Sequence, residues 1–289
     1  MNEPKLGAAT ALPAYCALIV GLIVIGGQSQ SRNVIAGIWI TEVIAVALPA
    51  AFVLCLASVK LVPYLGLRRL SWKQALIAVA ASVLNQPVVS FLTWVQHETM
   101  PKSLVDEFDL QQRMLSTLFA GENARWMVLT VVIAAALGEE IFFRGYLFPA
   151  MRKSWGVLAA VLVSGACFSL IHFEWVGFLG LMEIGILLAT LRLWSGSLWA
   201  AIIGHAVNNA IAGGAFLLHL QEPDDPTPAW VLVAGAVFLI AGIVLLVRVA
   251  RKGLSVEEQP APGRGAIAGA LGAVWIVSLA AGIFAFVKR

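Results

Sequence analysis

Leu137-Gly138-Glu139-Glu140-Ile141-Phe142-Phe143-Arg144-Gly145 is the stretch whose reading decides the fold. It lies inside an apolar run that begins at Trp126 and has the length and composition of a membrane-spanning helix. A carboxylate or guanidinium at the centre of such a helix costs about 2.5–3.5 kcal/mol on insertion scales. Such groups persist where they face a protein interior or a water-filled cavity and find partners there. Helix geometry divides the three. Glu140 and Arg144 are four residues apart, share a face and can pair. Glu139 points about 100° away, with Phe143 beneath it, and is left for another task.

The surrounding chain is of the same kind. Of 289 residues 60% are hydrophobic and 12% charged, and the mean hydropathy is +0.90. A soluble domain cannot hide that much apolar surface, so the fold class is all-α, a polytopic transmembrane helix bundle. The net charge of +3 is small, and no basic tail or aromatic-basic interleaving points to nucleic acid. Cys16, Cys55 and Cys167 all lie in apolar runs, with neither disulfide nor zinc-ribbon spacing. The first apolar stretch lacks a basic lead and a clear cleavage site, and reads as a retained anchor.

Windows of about 20 apolar residues predict eight or nine spans, near 8–27, 34–59, 74–95, 126–151, 156–173, 175–193, 197–220, 229–249 and 266–287. Pro87 predicts a kink in the third. The sixth is interrupted by Glu183. The organisation expected is N-terminal helices over 1–95, an extramembrane loop over 96–125, a catalytic helical core over 126–220 and C-terminal helices over 221–289. The 96–125 loop is acidic and has the pattern of a short amphipathic helix around Leu104–Phe119, either a solvated connector or a lid. Lys60–Lys73 mixes basic and aromatic residues and reads as an interfacial segment. The 250–265 segment, with Pro260, Pro262, Gly263 and Gly265, reads as a flexible linker. With nine spans, basic residues divide twelve to six in favour of the N-terminal side, Arg144 being intramembrane. The positive-inside rule then places the N-terminus in the cytoplasm.

Two further apolar helices carry polar pairs at the same spacing. Phe168-Ser-Leu-Ile-His172 closes the fifth span, and His205-Ala-Val-Asn-Asn209 lies inside the seventh, after Ser195-Gly-Ser-Leu-Trp199. A single buried histidine is usually a packing residue; three helices each presenting such a set are hard to explain by packing. A glutamate held away from bulk water can act as general base on water and then as acid to a leaving group. A nearby histidine can share that proton. A histidine N–H and an asparagine amide can donate to an oxyanion. Ser164 and Ser169 lack a nucleophile-elbow context, so hydrolysis by activated water is the natural chemistry and no cofactor is required. Zinc or another divalent metal on Glu139, His172 and His205 is the alternative. It lacks the His-Glu-x-x-His pattern that pre-places a base beside two ligands.

At these residues the chain resembles the type II CAAX prenyl protease and bacteriocin-processing group of glutamate intramembrane proteases, the CPBP or ABI family. Its motifs Glu-Glu-x-x-x-Arg, Phe-x-x-x-His and His-x-x-x-Asn/Asp stand here in order, over roughly 120–215. The resemblance implies that Glu139 activates water with His172, that His205 and Asn209 bind the oxyanion, and that Glu140 and Arg144 hold the site together. It implies a membrane-associated protein or peptide substrate. The expected setting is a lipid bilayer, the cell membrane of a prokaryote. No prenyl-binding groove is legible. The competing classes are a proton or ion pathway, disfavoured by the lack of repeat symmetry, and a catalytically idle scaffold or bacteriocin-immunity-type binding protein that retains the pocket.

Overall fold

Long apolar runs in a bilayer must satisfy their backbone N–H and C=O groups internally, which a helix does within one segment. A computed structural model describes residues 6–218, 220 and 226–252, and among them every regular element is helical. The long elements are α1 (Ala8–Arg32) and α2 (Val34–Leu56), followed by a short α3 (Leu61–Leu65). Next come α4 (Trp72–Leu84), α5 (Gln86–Thr99) and α6 (Lys102–Ala120). The chain continues with α7 (Ala124–Trp155), α8 (Val157–Leu170), α9 (Phe178–Ser195), α10 (Leu198–Leu217) and α11 (Ala229–Lys252). Among the described residues seven segments are long and apolar enough to cross a membrane, with α4 and α5 counted as one.

Eight of the nine windows read from the sequence have a helical counterpart. The ninth, 266–287, and the linker beyond Lys252 lie outside the described residues. The break expected at Pro87 falls at Asn85, where α4 stops and α5 starts with Pro87 in its first turn, the position that tolerates a missing N–H. The amphipathic pattern in 96–125 is helix α6. Its Phe119 is buried and stacks on Phe216 of α10, with ring centroids 5.8 Å apart.

Helix α7 is the central element. Half of its apolar window is enclosed, more than in any other described span. Two wide, π-type stretches, Val131–Ala135 and Ile141–Leu147, flank its Ala136–Glu140 turn, the kind of irregularity that collects at functional sites. The turn into α8 is one residue, Gly156 at φ +82°, a conformation that favours glycine. Helices α8 and α9 cross where Gly165 meets Gly185: a Cβ on Gly185 would lie 2.7 Å from the Gly165 Cα. That contact admits no side chain on either helix.

Helix α8 has 14 residues, so it rises about 21 Å and falls short of a hydrocarbon core of about 30 Å. It ends at Leu170 and a turn over 171–177 follows. His172 therefore lies past the end of the fifth span, on a break that includes Glu174 and Trp175. The break is tied down from both sides. Gln96 of α5 is 4% exposed; it donates to the Trp175 carbonyl (2.9 Å) and accepts from the Leu179 N–H (2.6 Å). The Ser169 hydroxyl donates to the Phe178 carbonyl (2.7 Å).

At the other end of the bundle, the interfacial segment locks onto the α9–α10 turn. The Leu198 N–H donates to the Gly66 carbonyl (2.8 Å), and the Ser197 hydroxyl donates to the Arg68 carbonyl (2.7 Å). Ser197 also caps α10, which explains the Ser195–Trp199 run ahead of the third motif.

Candidate active site

Glu140 and Arg144 are both wholly enclosed. Arg144 Nη1 donates to Glu140 Oε1 (2.6 Å) and Nη2 donates to the Gly185 carbonyl (2.8 Å). The i, i+4 pairing expected from spacing is therefore made, and α9 supplies a third point. The Gly165–Gly185 crossing is what brings that carbonyl within reach. The guanidinium also lies over the Phe168 ring, 4.6 Å from its centroid, a cation–π contact in a dry setting.

His205 of α10 joins the same carboxylate, its Nδ1 donating to Glu140 Oε1 (3.0 Å). A carboxylate only accepts, so Nδ1 carries the proton. Nε2 is then a lone pair in the neutral ring and a donor only when the ring carries both protons. His172 shows parallel logic: its Nδ1 donates to the Phe168 carbonyl (3.0 Å), which leaves Nε2 of the neutral ring free to accept a hydrogen from water. Phe168 lies between the two histidines, its ring centroid 5.1 Å from that of His172 and 5.5 Å from that of His205. Thus the second motif's phenylalanine packs on the guanidinium and on both imidazoles.

Glu139 is 6% exposed, and its Oε2 is enclosed with no hydrogen-bond partner. It makes no hydrogen bond to His172 among the described residues. Asn209 is partly committed: its Nδ2 donates to the Val131 carbonyl (2.9 Å) in the first wide stretch of α7, which leaves one N–H for another acceptor. The structure thus joins Glu140, Arg144, His205, Phe168 and His172 in one contact network. Glu139 and Asn209 are attached to it through α7. No three His, Cys, Asp or Glu side chains converge as a metal-binding set among the described residues.

Three polar residues near the site escaped the sequence reading. Glu42 of α2 is 8% exposed, with Oε2 unpartnered, and its carboxyl lies against Gly138: a Cβ there would sit 3.0 Å from the Glu42 Cβ. The signal was available, since Glu42 is an acidic residue inside the second apolar window. Gln96 positions the His172 turn as described above. Gln86 donates to the Asn208 side chain (3.0 Å) and to the Ser82 carbonyl (2.9 Å), bracing α10 beside Asn209. Glu183, the residue that interrupts the sixth window, accepts from Asn85 at the α4–α5 break.

Glu174 lies in the turn outside the spanning helices, where burial pushes its carboxyl from 4.5 up to about 7. Between those values the folded turn holds a proton that an unfolded one releases, so its stability falls as pH rises through 7 and is highest below 4.5. Amide-exchange protection over 171–177, corrected for intrinsic rate, is expected to drop several-fold from pH 5 to pH 8. The Glu174→Gln variant should show no such drop. A wild type with the same flat profile as the variant would refute this.

Residues 121–211 match the family model described as Type II CAAX prenyl endopeptidase Rce1-like. The matched segment begins just before α7, ends within α10 and contains all three motifs, which bears out the resemblance read from them. No curated protein and no solved structure matches the chain.

Proposed function

We propose that this chain, whose motif-bearing core is similar to the Rce1-like type II CAAX endopeptidases, is an intramembrane endopeptidase. It hydrolyses a peptide bond of a membrane-associated protein or peptide with a Glu139-activated water. The observation that carries this reading is the division of labour on one turn of α7. Glu140 Oε1 takes hydrogen bonds from Arg144 and His205, while the Glu139 carboxyl, one residue away, takes none among the described residues; each of the two keeps an enclosed Oε2 without a partner.

In the reaction Glu139 takes a proton from water as the water oxygen bonds to the scissile carbonyl carbon. His172 accepts a hydrogen of that water at Nε2 and sets its direction. The remaining N–H of Asn209 and a doubly protonated His205, held by Glu140, donate to the oxyanion. The proton on Glu139 then passes to the amine nitrogen as the C–N bond breaks. One face of the site is closed by Phe168, which keeps the guanidinium and both rings in register.

The test is cleavage of a membrane-embedded peptide library by purified wild type and His172→Ala, with and without chelator. Product released by wild type, reduced about 10²-fold or more in His172→Ala and unchanged by chelator, is the expected result. Loss of product on chelation would move Glu139 and the histidines into a metal site. An inactive wild type would favour the scaffold reading.

A further inference from the structure

The mechanism above leaves one end of the bundle unused, and that end is strongly cationic. The stretches that build it, 57–73, 148–156 and 191–199, carry seven Lys or Arg residues and no Asp or Glu. Trp72, Trp155 and Trp194 are exposed at the same end, the arrangement that marks headgroup depth in a bilayer. Between the C-terminal ends of α7 and α9 lies a cavity of about 360 Å³. It is lined by Phe148, Pro149, Arg152, Lys153, Arg192 and Leu193.

Arg192 is the lining residue whose needs the chain does not meet. Its Nε is enclosed and makes no hydrogen bond. The guanidinium lies against Gly66, where a Cβ would overlap Nη2. Residue 66, at φ +70°, is thus glycine for space as well as for conformation. Arg68 and Arg152 stand close enough to repel Arg192, and no carboxylate among the described residues acts on it. Arg68, Arg152 and Lys153 have interactions of their own, so they set the field of the cavity and the open donor belongs to Arg192. An enclosed guanidinium donor turned toward other cations calls for an anion. The planar fork of arginine matches the oxygens of a phosphate.

We propose that this cavity holds the phosphate of an anionic phospholipid from the leaflet that this end faces, with Arg192 as its anchor. Basic pockets between helices at headgroup depth suit such ligands. The depth and the apolar half of the lining, Phe148, Pro149 and Leu193, select a lipid over a free anion, because the glycerol and first acyl carbons need a dry wall. Bound there, the headgroup ties the end of α7 to the last turn of α9 and to the segment around Gly66. The site is separate from the hydrolytic residues: Arg192 stands seven residues beyond Gly185, about 10 Å further along α9.

The test is lipid retention by the full chain, purified in detergent and read by native mass spectrometry, with no hydrolysis step. From an equal mixture of phosphatidylglycerol and phosphatidylcholine, wild type is expected to retain one phosphatidylglycerol. Arg192→Gln should weaken that retention about fivefold or more, the weight of one cation near an anionic surface. Arg192→Lys keeps the charge without the fork and should recover part of it. Arg69→Gln removes an exposed cation at the same end that does not line the cavity, and should leave retention within about twofold. Thermal unfolding in phosphatidylcholine nanodiscs, with and without phosphatidylglycerol, reads the fold of each variant. Arg192→Gln should lose the upward shift that phosphatidylglycerol gives wild type. If Arg192→Gln does not fold, Arg152→Gln/Lys153→Gln decides, since both positions reach the surface and the same loss is expected. Equal losses in Arg69→Gln and Arg192→Gln would reduce the effect to diffuse surface attraction and overturn the site. Displacement of the lipid by inorganic phosphate would overturn the lipid as its source. A wild type that shows no preference for phosphatidylglycerol would overturn both.

Discussion

Glu139→Gln is expected to lower kcat by about 10²–10⁴-fold, the range in which a positioned general base contributes, while the protein folds as well as wild type. Both halves of that expectation come from the site. The substitution keeps the shape of the side chain and replaces the one group able to take the proton from water. Because Glu139 Oε2 has no hydrogen-bond partner, no bond at that atom is lost. The neighbouring substitution gives the contrast. Glu140→Gln weakens the acceptor of both Arg144 and His205, so it should lower thermal stability together with rate. The measurement is single-turnover cleavage alongside thermal unfolding of each variant. A Glu139→Gln enzyme within threefold of wild type would place water activation elsewhere. A Glu139→Gln protein that melts as low as Glu140→Gln would mean the two carboxylates share one structural role.

How much of this was legible in the sequence depends on the range of the interaction. Glu140 with Arg144, and eight of the nine windows, follow from periodicity and length within one helix and have their counterparts among the described residues. What the motifs could not show is what crosses between helices. The second acceptor of Arg144 is a backbone carbonyl, on Gly185, and it carries no side-chain signature. Its reach depends on two glycines, Gly165 and Gly185, that look like ordinary residues of apolar runs. Gln96 lies just past the third window, in the stretch read as a loop, and fastens a turn about 80 residues later in the chain; nothing local announces that. Glu42 was different. A carboxylate in an apolar run is the same signal that singled out Glu139, and it passed unnoticed because it stands alone, with no i+4 partner. Whether the fifth span tilts or breaks near Glu174 and Trp175 was left open by the sequence, since 156–171 carries no charge. Only the loss of helical geometry after Leu170 shows that the histidine sits on a break inside the bundle.

Arg144→Met is expected to destabilise the protein by about 3–5 kcal/mol, the cost of leaving one member of a buried ion pair uncompensated. Arg144 and Glu140 are both fully enclosed, so water cannot replace the lost partner. The change removes the side-chain donor to the Gly185 carbonyl and leaves Glu140 with His205 alone. It also removes the cation from over the Phe168 ring, the ring against which both histidines pack. Arg144→Lys tests the geometry: an ammonium is one point charge and cannot span Glu140 Oε1 and the Gly185 carbonyl as the guanidinium fork does, so it should recover only part of the loss. The double variant Glu140→Gln/Arg144→Met removes the stranded charge and should be more stable than Arg144→Met alone. Unfolding of the four proteins in the same bilayer mimetic reads all of this. An Arg144→Met cost below about 1 kcal/mol, the scale of an exposed pair, would mean that water reaches Glu140. In that case Glu140 would be as free to activate water as Glu139, and the assignment of the base to Glu139 would lose its physical ground.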